Sequence, residues 1–339
     1  MTTDQDSIGV AIFASRESGA VLGATFESVV VALAPFARSC IDVLVNGNPA
    51  LAADFAAALA RRAPFAAGLR VRAWDIALAD KANSWNRYVH EIFPDAEYAV
   101  CVDGYAKIRP DSIGRLATSL RAHPECLAAT GIPSSNASDD KLAAEMLRSG
   151  GIHGNLFALS QTAVQKIRRC GFRLPLYLYR TDSTIGAALC FNLAPESAEW
   201  NAARIFVDRD VTWTRRVPSW RNWQDLTAQL KRTIRQAQGE LENRAVKKLL
   251  AIKRQGLNRL PRTTSELINQ WLAEATLREK LWFVGNPLRN YAYSRVMKVI
   301  PTVPRRAHSE LLLDLSPAGA APNELVLDNA YNRDAQEMR

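Results

Sequence analysis

Three observations predict an α/β protein, a mostly parallel sheet flanked by helices with a C-terminal α-helical extension. Short apolar runs alternate with helix-spaced segments between residues 8 and 121, the pattern of parallel strands joined by crossover helices. Beyond Pro218 helical spacing takes over. The charge divides at nearly the same place. Residues 1–200 carry 19 Lys/Arg against 20 Asp/Glu, residues 201–309 carry 22 against 8, and residues 310–339 carry 2 against 6. The net +9 of the 339-residue chain therefore belongs to its second part. Such a basic part implies a partner: nucleic acid, an anionic membrane surface, or the acidic tail itself.

Taken in order, residues 8–14 read as a buried strand and 18–33 as a helix. A second strand, 41–45, ends in the turn signal Asn46-Gly47-Asn48-Pro49. An Ala-rich helix covers 50–62, a third strand 69–73, and a helix 81–92 with Ala82, Trp85, Val89 and Ile92 on one side. Residues 98–102 give another apolar strand and 110–121 another helix. A polar loop over 133–140 follows, then a short strand at 155–159, a basic helix at 161–170 and an apolar helical run at 184–191. Residues 205–207 and 211–213 are expected to close the sheet. In the extension Asn222 is a candidate cap and Gly239 a candidate helix end. Further helices are expected over 240–255, from Thr264 to before Gly285, and from Asn286-Pro287 to about 299. A Pro/Ala/Gly linker at 317–322 leads into the tail. The expected division is an α/β domain over 1–217, a basic helical extension over 218–310 and an acidic tail over 311–339.

Several classes are disfavoured. Residues 1–7 are acidic and polar with no basic-then-apolar leader behind them, which argues against a secretory signal. The most apolar stretch, 20–37, is interrupted by Glu27, Ser28 and Pro35, so no run of membrane-spanning length exists. Cys40, Cys101, Cys126, Cys170 and Cys190 are odd in number, widely spaced and free of any C-x-x-C pair. That points away from a disulfide framework or zinc site and towards a reduced, cytoplasmic setting.

In open α/β sheets ligands bind beyond the carboxyl ends of the strands, so the residues there are the candidates for chemistry. Tyr98 to Asp103 is an apolar strand ending on a carboxylate, followed by Gly104-Tyr105 and a Pro110-Asp111-Ser112 helix start. Such a carboxylate either holds a divalent cation that neutralises a diphosphate or starts a turn. Asp80-Lys81-Ala82-Asn83-Ser84-Trp85-Asn86 opens a helix, where phosphate is favoured if Asp80 is not simply a cap over a solvated face. Asp182, after Arg180-Thr181, is either a helix N-cap or a general base. Gly151-Ile152-His153-Gly154-Asn155 lets backbone approach a ligand closely. His153 is a weak candidate ligand.

The order of these pieces closely resembles the family 2 glycosyltransferases of the GT-A fold, over roughly residues 7–235. The resemblance implies transfer of a sugar from a nucleotide-sugar donor, most simply a UDP-sugar, to an acceptor hydroxyl, with inversion and without processivity. It implies a catalytic domain at 1–217, in glycan or glycolipid assembly on a glycan or lipid-linked acceptor. It places Ser15 at the end of the strand over the nucleotide, and Asn46 and Asn48 where the family has an acidic residue contacting the base. Lys81, Asn83 and Asn155 fall beside the donor. Asp103 matches the first Asp of the metal-binding D-x-D, and Tyr105 replaces the second. Mg²⁺ or Mn²⁺ is then held by Asp103 with phosphate oxygens and water, helped by another ligand such as His153, or is absent, in which case basic residues offset the diphosphate. Asp182 matches the inverting general base. The segment with Gln229, Arg232 and Arg235 lacks the Trp of processive members.

The basic part interleaves cations with aromatic residues such as Trp220, Trp271, Trp282 and Tyr291. Most of these are expected to pack on the catalytic domain. A sharper reading lays 278–306 on an anionic membrane, the inner face for a cytoplasmic protein. No nucleic-acid module is present. Two other readings compete. Tyr105, Asn46 and Asn48 suit a catalytically degenerate GT-A protein that binds a nucleotide, an acceptor or a partner. A sugar nucleotidyltransferase ranks last, since residues 13–19 are not a Gly-rich phosphate loop.

Overall fold

The computed structural model describes residues 6–134, 137–149, 151–214, 223–298 and 309–316. The elements run β1 (Ser7–Ala14), α1 (Gly19–Leu33), β2 (Arg38–Asn46), α2 (Pro49–Arg62), β3 (Leu69–Ile76) and α3 (Lys81–Arg87). Then come β4 (Tyr98–Asp103), β5 (Lys107–Ile108), α4 (Ser112–Ala122), β6 (Ala128–Pro133), α5 (Ala137–Ser149), β7 (Leu156–Ser160), α6 (Gln161–Arg169) and α7 (Thr181–Cys190). The last are β8 (Ile205–Thr214), α8 (Trp223–Lys247), α9 (Thr264–Ala273), α10 (Leu277–Val284), α11 (Pro287–Lys298) and β9 (Ser309–Leu315).

The nine strands among the described residues form one sheet in the order β5-β8-β6-β7-β4-β1-β2-β3-β9. The protein is thus an α/β sheet flanked by helices with C-terminal helices, as expected. The parallel part is β3-β2-β1-β4 together with the β6–β8 pair. The sheet as a whole is mixed, because β7 runs antiparallel to both β4 and β6. That reversal brings the start of β7 to the carboxyl end of β4, with Leu156 opposite Val102.

Strand alternation splits the core into two layers. Ile8, Val10 and Ile12 of β1 face α1, α2 and α4, where Leu22, Phe26, Phe55 and Leu116 are buried. Ala11 and Phe13 face the other layer. There Phe157, Ile185, Leu241, Leu267 and Trp271 belong to one continuous cluster, so α8 and α9 share the core of the sheet. Buried charge within the sheet is paired. The Arg72 guanidinium donates to both Asp42 oxygens at 2.7 and 2.9 Å, and Trp74 Nε1 donates to Asp42 Oδ1 at 2.8 Å.

The elements depart from expectation where tertiary contacts overrule local signals. Gly239 does not end a helix. It lies inside α8, buried against the side chain of Arg180. The segment expected to run as one helix from Thr264 is two, because Thr276 and Glu279 form a second capping box. Part of the expected loop 133–140 opens α5, and β8 is one strand. Residues 309–315 pair antiparallel with β3 at the sheet edge. The candidate Asn222 cap, Trp220, the 317–322 linker and the tail beyond Ser316 lie outside the described residues.

Candidate active site

Five chain segments converge at the carboxyl ends of β1 and β4, where the parallel strand order reverses. Asp103 ends β4 opposite Phe13 of β1 and is buried. The Gly104 N–H donates to the Phe13 carbonyl at 2.8 Å, and a Cβ on Gly104 would stand 3.0 Å from that oxygen, so the turn after Asp103 lies directly on β1.

Lys81 is the first residue of α3, and its ammonium is ion-paired with Asp103 Oδ1. It also lies 5.9 Å from the centre of the Phe13 ring. Burial pushes the Lys81 pKa down, but Asp103 and then Asp182 outweigh it, so the value lies above the ordinary lysine range and the ammonium is kept. Tyr105 brings its phenol 3.0 Å from Asp103 Oδ2 and 3.1 Å from Asn155 Oδ1. One hydroxyl proton serves one of these acceptors at a time. Asn155 is buried at the mouth of β7, where its carbonyl accepts from the Asp103 N–H at 3.3 Å. Its Nδ2 is buried without a partner.

Asp182 lies in the first turn of α7, where negative charge is favoured. It is not the N-cap, a position held by Arg180. Asp182 Oδ2 accepts from the Gly154 N–H at 3.2 Å, and Oδ1 accepts from the Ser183 N–H at 2.9 Å. Gly154 marks where the site closes. A Cβ there would stand 3.1 Å from Lys81 Nζ, 3.7 Å from Asp182 Oδ2 and 3.8 Å from Asp103 Oδ2. One cation and two carboxylates therefore face a single point on the backbone.

The structure brings Lys81, Asp103, Tyr105, Asn155 and Asp182 together. Ser15 follows β1, Asn46 ends β2 and Asn48 comes two residues later, all at the same edge of the sheet. The Asn48 amide caps α2 by accepting from the Leu51 N–H at 3.2 Å, and donates to the Ser15 carbonyl at 2.9 Å. Asn46 is buried at the end of β2. Asn83 donates its backbone N–H to the Asp80 cap at 3.2 Å. His153 places its ring 4.7 Å from that of Trp213, and its Nδ1 accepts from the Asn155 N–H at 3.3 Å.

The donor set is poorly suited to Mg²⁺ or Mn²⁺. Asp103 is the one carboxylate at the end of β4, and both its oxygens are engaged, one by an ammonium and one by a phenol. Among the described residues no three His, Cys, Asp or Glu side chains gather at metal-holding distances. Lys81 is the cation that the chain itself brings to this point.

Sequence reasoning missed the frame that holds Asp182 in place. The loop before α7 hangs from two buried carboxylates. Asp80 caps α3 and also accepts from the Tyr177 N–H at 2.9 Å. Glu242 of α8 accepts from the N–H groups of Tyr179 at 3.0 Å and Arg180 at 2.8 Å. Burial pushes Asp80 up to about 6 and Glu242 up to about 7, while the N–H donors pull each back down. Asn86 adds a two-way clamp on Leu174, accepting at 2.8 Å and donating at 2.9 Å. Thr264 of α9 donates to the Leu176 carbonyl through its N–H at 2.9 Å and its hydroxyl at 3.0 Å. The C-terminal helices therefore shape the candidate active site directly.

No protein-family model and no curated protein matches the chain. Among solved structures it is similar to a mannosyltransferase from Pyrobaculum calidifontis in complex with GDP-Man and Mn²⁺, at 15% identity over 86% of this chain and 84% of that one, with a TM-score of 0.48. It is also similar to glucosyl-3-phosphoglycerate synthase from Mycobacterium tuberculosis in complex with Mn²⁺, UDP-glucose and phosphoglyceric acid, at 13% identity over 68% and 77%, with a TM-score of 0.42. A third is a mycobacterial protein, at 14% identity over 71% and 75%, with a TM-score of 0.48.

Proposed function

We propose that this protein is a glycosyltransferase of the hexosyl-transferring kind, related to family 2, that moves a sugar from a nucleotide-sugar donor to an acceptor hydroxyl with inversion and without processivity. The observation that carries this reading is the convergence of Lys81, Asp103 and Asp182 on Gly154 at the carboxyl edge of the sheet. An acceptor hydroxyl is a poor nucleophile at neutral pH and needs a base at the moment of attack. Asp182 is that base. It takes the hydroxyl proton as the oxygen attacks the anomeric carbon from the side opposite the leaving group. Departure of the nucleoside diphosphate builds negative charge on its phosphate oxygens. Lys81 offsets that charge, and a charge already held in place by Asp103 needs little reorganisation as the reaction proceeds. Asp103 holds Lys81 in position.

In this reading Ser15, Asn46 and Asn83 border the nucleotide, a UDP-sugar being the simplest donor, and the acceptor is a glycan or lipid-linked. Residues 1–217 are the catalytic unit, and the basic helices complete its site. The five cysteines, all unpaired, favour a cytoplasmic setting.

Tyr105 in place of an acidic residue supports a second reading, a degenerate protein that binds donor without turnover. A thermal-shift screen of nucleoside diphosphates and nucleotide sugars, run with and without Mn²⁺, tests the donor site, since a ligand of the folded form raises its apparent stability. The proposal expects at least one nucleotide to shift the unfolding midpoint of the wild type and not of Lys81→Met. No shift with any nucleotide would defeat both readings.

A further inference from the structure

The last two helices, α10 and α11, carry exposed apolar side chains that nothing among the described residues covers. Leu277, Leu281 and Val284 of α10 are 74%, 63% and 61% exposed, and Tyr291 of α11 is 54% exposed. Leu277, Leu281 and Val284 share one face of α10, and Tyr291 shares one face of α11 with Leu288, also exposed, each set spaced by three or four positions. The inner face is already occupied. Ala292 and Val296 are buried, and Trp282, Phe283, Tyr293 and Met297 pack on the core. Trp282 is further sandwiched between the guanidinium groups of Arg244 and Arg289, at 3.7 and 3.6 Å from its ring centre. The exposed stripe is therefore not a loosely attached core face. It is a second apolar side on helices that are already anchored.

Its border is basic. Arg278 and Lys280 flank the stripe on either side of α10, and Arg295 and Lys298 continue the Leu288–Tyr291 spacing along α11. All four are exposed. The one carboxylate on these two helices, Glu279, is engaged in its own capping box. An apolar face edged by cations is the make-up of a helix that lies in the headgroup layer of an anionic bilayer. No helix among the described residues is long and apolar enough to cross a membrane, so contact through this face would be with the surface alone. A second copy of the chain suits the face less well. A two-fold interface sets the same patch against itself, which would bring these four cations against their own counterparts.

We propose that the outer face of α10 and α11 docks the protein on an anionic lipid bilayer, with Leu277, Leu281, Val284, Leu288 and Tyr291 inserted among the headgroups and Arg278, Lys280, Arg295 and Lys298 on the lipid phosphates. This docking does not depend on the transfer chemistry, and its test needs no substrate. The full chain is sedimented with vesicles of phosphatidylcholine alone and of phosphatidylcholine with phosphatidylglycerol. Binding is expected to the anionic vesicles, to weaken as salt is raised, and to fall about tenfold or more in Leu281→Glu/Leu288→Glu. Each of Arg278→Gln and Lys298→Gln should weaken it by about fivefold at low salt. The thermal midpoint and any nucleotide-induced shift should match the wild type in all of these variants. Two results would overturn the proposal. One is equal sedimentation of wild type and double variant. The other is light scattering that shows a dimer dissolved by Leu281→Glu/Leu288→Glu with no binding to anionic vesicles, which would assign the face to a second copy.

Discussion

The backbone N–H of Gly154 donates to Asp182 Oδ2 at 3.2 Å, which ties the residue before Asn155 to the first turn of α7. A side chain at 154 would enter the space shared by Lys81, Asp103 and Asp182, with its Cβ 3.1 Å from Lys81 Nζ. The nearest atom is the end of a flexible side chain, so Gly154→Ala should fold normally. The ammonium would have to move, and small displacements in a reacting constellation are expensive in rate. We expect kcat to fall roughly 10- to 100-fold with little change in thermal midpoint.

Gly239 and Arg180 form the matching contact on the other side of the loop. A Cβ on Gly239 would stand 2.5 Å from Arg180 Nε and 2.9 Å from its Cγ. In an exposed helix Gly→Ala is stabilising by about 1 kcal/mol. Here overpacking should outweigh that gain, at about 1–3 kcal/mol. Gly239→Ala is therefore expected to be destabilised and to lose activity, because Arg180 precedes Asp182 by two residues. Gly239→Ala/Arg180→Ala should recover the stability, as read by denaturant unfolding.

Glu242 and Asp80 give the fold a pH dependence of definite sign. Their folded-state pKa values, about 7 and about 6, exceed the ordinary 4.5 and 3.8. Between those limits the native state binds more protons than the unfolded chain, so stability falls as pH rises from about 4 to about 7 and these groups contribute no further slope above that. In Glu242→Gln the slope between pH 4.5 and 7 should flatten. The amide cannot accept on both sides as the carboxylate does, so overall stability should also drop by about 1–3 kcal/mol. Urea unfolding across this pH range checks both effects.

The parallel strands and the residues at their carboxyl ends were legible in the sequence because apolar runs ending in polar turns encode them locally. Asp103, Lys81 and Asp182 stand out in the sequence by position and order, and the structure brings them together. What was not legible depends on contacts distant in sequence. Gly239 reads as a helix end until Arg180 is seen against it, and Glu242 reads as one more acid on a basic helix until Tyr179 and Arg180 are seen to need it. The edge strand β9 follows a stretch of mixed character, and its pairing with β3 has no local signal. The two capping boxes at Thr263 and Thr276 were written in the sequence as Thr-x-x-Glu. The apolar spacing continues across the one at Thr276 and hides the break between α9 and α10.

The Lys81–Asp103 pair leads to an expectation about metal. With an ammonium and a phenol already on the carboxylate, transfer should persist in excess chelator and should not rise appreciably with added Mn²⁺. Tyr105→Asp would supply a second carboxylate, and that variant should gain Mn²⁺ binding measurable by calorimetry where the wild type shows none. Activity of the wild type abolished by chelator and restored by Mn²⁺ would show that Lys81 gives way to a metal.

The most direct test of the central claim is nucleoside diphosphate release from nucleotide sugars by purified wild type, Asp182→Asn and Lys81→Met, with acceptor present. The wild type should turn over at least one donor. Asp182→Asn should lose roughly 10²–10⁴ in kcat while still showing the nucleotide-induced thermal shift, and Lys81→Met should lose both. Transfer undiminished in Asp182→Asn would contradict the assignment of the base, and with it the account of this site.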